Sequence, residues 1–276
     1  MEITVRSATE DDLNDCIEVE KAAMKDYCYL KDVWDYFNTT QGELNCAVVD
    51  DKIVGIGKFT VLYDGSGWLE TLRVMPEYQG QGVGKAIYKE YLRQAKKYNC
   101  PSMAMYTGLT NKVSAGLAEK YGLAQSGHFR GYILQDFESP EGALNFKHTS
   151  CDRALQLIMP KKDEYHGYLV FNRTFYKINE KTVKALAVEG KIFEDADDGS
   201  FIVCGSRFQH NLALHIAMMS GDYNKCLNFA KRYAITKGIN KITFTIPLEN
   251  PILEQFLSDN GFSREPADTI TKEIVF

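Results

Sequence analysis

Glycines 80, 82 and 84 alternate with Gln81 and Val83 and end at Lys85. Upstream, Trp68, Leu69, Leu72 and Val74 form an apolar run of strand length that Pro76 stops. Downstream, Val83, Ile87, Tyr91 and Ala95 recur at helical spacing. The stretch reads strand, turn, glycine-rich loop, amphipathic helix. Such a loop leaves backbone N–H groups unpaired at the positive end of the helix dipole, and phosphate is their usual ligand. Spacing narrows which phosphate. A Walker A loop needs glycine where Gln79 stands and Ser or Thr after Lys85, where the chain has Ala86. The dinucleotide pattern GxGxxG fails because Lys85 takes its sixth position.

What does fit is Gln79-x-x-Gly82-x-Gly84 directly after Leu72-x-Val74-x-Pro76. This combination resembles motif A of the GNAT N-acetyltransferase superfamily. The opening Ile3-x-Val5-Arg6-x-Ala8-Thr9-x-x-Asp12 also resembles the start of many GNAT domains, more loosely. The resemblance implies acetyl-CoA as co-substrate, no metal, and a primary amine of a small molecule or peptide as acceptor. It places the backbone of Leu72, Arg73 and Val74 along the pantetheine arm. It places the amides of Gln79, Gly80, Gln81, Gly82, Val83, Gly84 and Lys85 around the pyrophosphate. Lys85 either adds a phosphate contact or is a solvated lysine whose amide alone matters. Asn111 and Ser114 match the start of the helix that follows in the family, where the asparagine contacts pantetheine; a plain helix cap explains Asn111 as well.

Acetyl transfer to an amine needs a bound donor, a deprotonated amine and a stabilised oxyanion. By the resemblance, Glu70 is the carboxylate that takes the amine proton, commonly through water. The alternative is an anchoring or merely solvated carboxylate. In a regular strand Glu70, Leu72 and Val74 share one face, and a bulge would change that. For the acid that reprotonates the thiolate the chain departs from the family. The helix pattern aligns through Asn111, Ser114, Leu117 and Gly122, and its tyrosine position is Ala118. Tyr121, three residues later, falls about 60° short of a full turn and does not stand in. That departure supports a second reading, a non-catalytic CoA-binding or sensory module.

The elements needed to position these residues are legible in outline. Ile3–Arg6 alternates like an edge strand, and Thr9 suits an N-cap before a helix carrying Leu13, Ile17 and Val19. The segment 23–40 interleaves Tyr27, Tyr29, Trp34, Tyr36 and Phe37 with Asp26, Asp32 and Asp35. It reads as an amphipathic helix with its aromatic side buried, or as aromatic walls beside carboxylates that suit a cationic amine. Strands follow at 44–49 and 53–62, joined by Asp50-Asp51-Lys52. Beyond the glycine-rich helix come a strand at 103–107, a helix at 111–121 with Val113, Leu117 and Ala118 inward, and a strand at 129–134. The expected fold is α/β, with a mixed, mostly antiparallel sheet flanked by helices.

The second half repeats the first weakly. Ala95-Lys-Lys-Tyr98 has its echo in Ala230-Lys-Arg-Tyr233, each followed by a strand, an Asn-led helix (Asn111, Asn250) and Tyr121-Gly-Leu123 or Asn260-Gly-Phe262. Residues 212–219 take the central strand's place, and Ser220-Gly-Asp222 replaces the glycine-rich loop. Asp222 would repel a phosphate. Two GNAT-like domains are therefore expected, 1–138 binding acetyl-CoA and 146–276 a degenerate copy, divided at the turn-rich Ser139-Pro-Glu-Gly142; the alternative for the second half is an unrelated α/β domain, since the shared Ala-Lys-Lys/Arg-Tyr string is short and common in helices.

Composition sets the outer bounds. A chain of 276 residues, 45% hydrophobic and 25% charged, builds an ordinary core. Its net charge of −5 argues against nucleic acid as partner. Seven cysteines without a CxxC pair read as reduced thiols, and no apolar run reaches membrane-spanning length, so a cytoplasmic protein is expected, with monomer and homodimer both open. His210, His215 and Cys204 lack metal-ligand spacing.

Overall fold

The computed structural model describes residues 1–24 and 28–276. Asp26 and Tyr27, named above in the aromatic segment, lie outside the described residues. In chain order the elements of the first half are β1 (Thr4–Ser7), α1 (Leu13–Ala23), α2 (Leu30–Thr39), β2 (Leu44–Val49), β3 (Lys52–Val61), β4 (Gly67–Val74), α3 (Val83–Lys97), β5 (Ser102–Gly108), α4 (Lys112–Lys120) and β6 (Ala124–Gln135). The second half adds β7 (Phe146–His148), α5 (Cys151–Ile158), β8 (Tyr168–Phe171), β9 (Thr174–Lys177), α6 (Glu180–Val188), β10 (Ile192–Asp195) and β11 (Phe201–Gly205). It closes with β12 (Leu214–Ser220), α7 (Tyr223–Thr236), β13 (Lys241–Pro247), α8 (Pro251–Asp259), β14 (Ser263–Arg264) and β15 (Thr269–Val275).

Two compact units form. Unit 1 comprises Met1–Thr107, Asn111–Ser126 and Thr271–Phe276; unit 2 comprises Gly108–Thr110 and Gly127–Ile270. Residues 127–138, grouped with the first domain on sequence, thus fall in unit 2, and residues 271–276 fall in unit 1. A strand joins whichever sheet supplies its hydrogen bonds, and linker composition carries no information about that choice.

In unit 1 the strand order is β1-β2-β3-β4-β5-β15. Neighbours from β1 to β4 run antiparallel, and β4 runs parallel to β5. Asp50 and Asp51 both have positive φ, the type I′ geometry that matches a hairpin's twist. Two of the helices, α1 and α2, lie on one face of this sheet. Lys58 Nζ on β3 donates to Phe37 O of α2 at 2.7 Å, and Trp34 Nε1 donates to Glu10 at 3.0 Å. Val33, Trp34 and Phe37 are buried while Asp32 and Asp35 are exposed, so α2 is amphipathic and turns its carboxylates outward. The opposite face carries α3. Its Val83, Ile87, Tyr91 and Ala95 are buried with Phe59 and Leu69 of the sheet, as their spacing predicts. Close approach here depends on glycine: a Cβ on Gly55 would stand 2.7 Å from Val83 Cγ1, and one on Gly57 would overlap the Tyr91 hydroxyl. On α4, Ala115 and Ala118 are buried, whereas Val113 is 85% exposed. Leu117 and Ala118 turn inward as the sequence suggested, and only Val113, in the first turn after the Asn111 cap, faces solvent instead.

Unit 2 has the order β7-β10-β11-β12-β13-β6, in which β12 runs parallel to β13 as β4 does to β5. β8 and β9 form a separate hairpin. Matching order and matching parallel pair express the internal repeat in three dimensions. Of the seven cysteines, all free, five are buried.

Candidate functional site

Two backbone irregularities shape unit 1 around β4. Parallel pairing with β5 runs only from Gly67↔Met103 to Leu69↔Met105, although β4 continues to Val74. Along residues 70–74 that edge of the strand has left its neighbour. On the other edge, Glu70 faces Lys58 and Arg73 faces Ile56, so Thr71 and Leu72 share the place opposite Gly57. This is a bulge, and Thr71 adopts φ +58° within it, a conformation a β-branched residue enters at a cost of about 1–3 kcal/mol. The bulge resolves the facing left open on sequence. Leu72 and Val74 pack with the α3-side core, while Glu70 and Arg73 lie in register with Lys58 and Ile56 on the α1–α2 side.

Beyond β4 the chain makes a single 3-10 turn, Pro76–Tyr78, and reaches the glycine-rich loop. Gln79 Nε2 donates to Val74 O at 3.1 Å and Gln81 Nε2 donates to Glu77 O, ties that hold the loop against the strand end. Gly80 and Gly82 have φ of +75° and +99°, values that favour glycine. Among the described residues, no side chain caps α3 at its N-cap Gly82. Gln79, Gly80, Gln81 and Lys85 are exposed, and a Cβ on Gly80 would meet nothing within 4 Å. The result is an uncapped helix terminus under an open loop, continuous with an open strand edge. That geometry fits a ligand with an anionic diphosphate and an amide-bearing tail.

Residues 8–123 match the model of the Acetyltransferase (GNAT) family. The chain contains a GNAT domain. Transfer of an acetyl group from acetyl-CoA to an amine is the general activity of that family. No curated protein matches the chain. Among solved structures, a GCN5-related N-acetyltransferase from Sphaerobacter thermophilus aligns over 99% of this chain and 95% of its own, with a TM-score of 0.66 and 10% identity. A tandem GNAT protein from the clavulanic acid biosynthesis pathway aligns over 99% and 98%, with a TM-score of 0.64 and 12% identity. At such identities the likeness is one of fold.

Within the GNAT domain, Glu70 is half-buried and its Oε1 accepts from Thr60 Oγ1 at 2.6 Å. The Tyr29 hydroxyl lies 2.7 Å from Thr71 Oγ1 at the bulge. Burial raises the Tyr29 phenol above its usual range, with Arg73 opposing the rise and Tyr106 and Glu70 adding to it. Tyr29 is itself held by a buried acid: Glu20 Oε2 accepts from the backbone N–H of Tyr29 and Leu30 at 3.1 and 2.9 Å. The sequence pointed to the aromatic segment without singling out Tyr29, and the bulge that brings Thr71 to it leaves no mark in composition.

Asn111 Oδ1 accepts from Ser114 N at 3.1 Å, so in this structure it caps α4. Ala118, at the family's tyrosine position, is buried in the core. Tyr121 donates its hydroxyl to Lys85 O at 2.9 Å and stacks on Tyr88 at 5.0 Å. It ties α4 to the first turn of α3.

Unit 2 closes each of the corresponding features. Asp222 caps α7, its Oδ1 accepting from Asn224 N and Lys225 N at 2.9 and 3.1 Å. Gly221 abuts Ser200, whose Oγ a Cβ there would approach to 2.5 Å. Parallel pairing of β12 with β13 stops at Ile216↔Phe244. Three residues further, where Leu72 stands in β4, Met219 is occupied: the Tyr165 hydroxyl donates to Met219 O at 2.8 Å and accepts from Met219 N at 3.0 Å. Tyr165 is buried. An aromatic side chain of unit 2 thus takes both backbone groups of Met219, whereas the Leu72 carbonyl accepts from the adjacent Arg73 Nη1 at 3.0 Å.

His215, also in unit 2, lies 2.6 Å from Thr243 Oγ1 through its Nδ1. Burial pushes it down to about 3, with Lys241, Arg173 and Lys191 acting in the same direction. Cys204 is a buried thiol. Among the described residues no three His, Cys, Asp or Glu are arranged to hold a metal ion, and no helix is long and apolar enough to cross a membrane.

Proposed function

We propose that this chain is a cytoplasmic, acetyl-CoA-dependent N-acetyltransferase with one donor site, in its N-terminal GNAT domain, and that unit 2 is a degenerate copy without one. The observation that carries the proposal is the contrast between the units: an uncapped α3 beside an open β4 edge in one, a self-capped α7 beside a Tyr165-filled β12 edge in the other. Backbone amides of Gln79 to Lys85 would hold the pyrophosphate, and those of Leu72, Arg73 and Val74 the pantetheine arm. When bound, acetyl-CoA supplies an activated thioester carbonyl.

The chain's own residues supply the proton handling and the orientation. Glu70 faces the acceptor side of β4, and the Thr60 hydroxyl leaves one of its oxygens fixed. From there it accepts the proton of an acceptor ammonium directly or through a water, and so readies the nitrogen lone pair. Tyr121 is committed to Lys85 O, so the thiolate proton comes from solvent or from another hydroxyl at this face. The same feature favours a second reading, a CoA-binding module without turnover.

Calorimetric titration with acetyl-CoA, followed by a thiol-release assay across an amine panel, separates these readings. One equivalent bound and turnover on an amine is the expected result. Two equivalents, or none, refutes the proposal, and one equivalent without turnover selects the binding module.

A further inference from the structure

Glu70 and Arg73 stand three residues apart on β4, a separation that puts side chains on opposite faces of a regular strand. The bulge inserts one residue between them and returns both to one face, opposite Lys58 and Ile56 of β3. Around them on that face are Thr60, bonded to Glu70, and Tyr29, bonded to Thr71. A base and a guanidinium are thus brought side by side by a local backbone defect.

The guanidinium is incompletely satisfied. Arg73 Nη1 donates to Leu72 O at 3.0 Å, which fixes the plane of the fork. Its Nε is buried and has no hydrogen-bond partner among the described residues. Arginine presents Nε and one terminal nitrogen as a paired edge that matches carboxylate or phosphate in bidentate fashion. A buried cationic donor left unpaired is costly, and an anionic group arriving with a ligand removes that cost.

We propose that Arg73 binds an anionic group on the acceptor, so that the substrate class is a small primary amine bearing a nearby carboxylate or phosphate, of the amino-acid or aminoalkyl-phosphate kind. Glu70 faces the ammonium end of such a molecule and Arg73 its anionic end. This rests on the reading of the GNAT domain as an acetyltransferase, and it narrows the acceptor within that reading.

The test uses matched acceptor pairs: an amino acid against its carboxamide, and phosphoethanolamine against ethanolamine. The first pair reads carboxylate recognition and the second phosphate recognition. Initial rates of thiol release are measured for the wild type, Arg73→Met and Arg73→Lys, with folding of each variant checked by thermal melting. The wild type is expected to prefer the anionic member of at least one pair by about 10- to 100-fold in kcat/KM, mainly through KM. Arg73→Met should bring that ratio close to one, and Arg73→Lys should restore part of it, as a single charge without the fork. A wild-type ratio near one in both pairs overturns the proposal, as does a ratio that survives Arg73→Met. If no amine is acetylated the enzyme reading fails by itself. Calorimetric binding of the same pairs to the acetyl-CoA-loaded protein then shows the same preference and its loss in Arg73→Met, or overturns the inference.

Discussion

Gly80 offers a charge test of the donor loop that leaves packing untouched. Its φ is +75° and a Cβ there meets nothing within 4 Å, so a side chain enters open space. Asn and Asp are the non-glycine residues that best accept a left-handed backbone. Gly80→Asn and Gly80→Asp therefore share a shape and a folding cost, on the order of 1 kcal/mol, and differ by one negative charge. If a diphosphate with about two negative charges sits on the loop, each lies about 6 Å from the new carboxylate. At an effective dielectric constant of about 40–80 the repulsion is about 0.7–1.4 kcal/mol per charge. Summed, that is about 1.5–3 kcal/mol, or roughly 10- to 100-fold in Kd between the two variants. Calorimetric titration with acetyl-CoA measures the ratio, and raising the salt to about 0.5 M should shrink it because the site is exposed. Pantetheine, which lacks the diphosphate, is the control and should bind both variants alike. Equal affinities of the Gly80→Asn and Gly80→Asp variants for acetyl-CoA would refute the assignment of this loop to phosphate.

Two further expectations concern unit 2. Tyr165→Phe leaves the buried N–H and C=O of Met219 without the hydroxyl that pairs both. It should lower stability by about 1–3 kcal/mol, read as a Tm drop of several degrees, while acetyl-CoA stoichiometry stays at one; an unchanged Tm rejects the plug. His215 is neutral in the folded protein, its pKa pushed down to about 3, against about 6.5 when unfolded. The unfolded chain therefore binds the extra proton between those values. Stability is fully present above about pH 6.5 and falls as pH drops below it, by at most about 1.4 kcal/mol per unit. Urea titrations between pH 7 and 4.5 should show a shallower pH slope for His215→Gln than for the wild type, and identical slopes refute the linkage.

Much of the donor site was readable from local pattern. Helical spacing of Val83, Ile87, Tyr91 and Ala95 names the buried face of α3, and glycines at 80 and 82 mark backbone that needs positive φ. Asp222, read on sequence as a charge that repels phosphate, also caps α7 through the backbone N–H of Asn224, two residues on. These are interactions between residues within a turn or two of each other, and sequence order carries them. What tertiary structure decided is of longer range. Thr71 has no composition that announces a bulge; its φ follows from pairing with β3, and only then do Glu70 and Arg73 share a face. Tyr165 finds Met219 across 54 residues, and the last six residues complete the sheet of unit 1. A strand edge offers the same backbone donors and acceptors whatever its side chains, so its partner is fixed by which pairings the whole chain can satisfy at once.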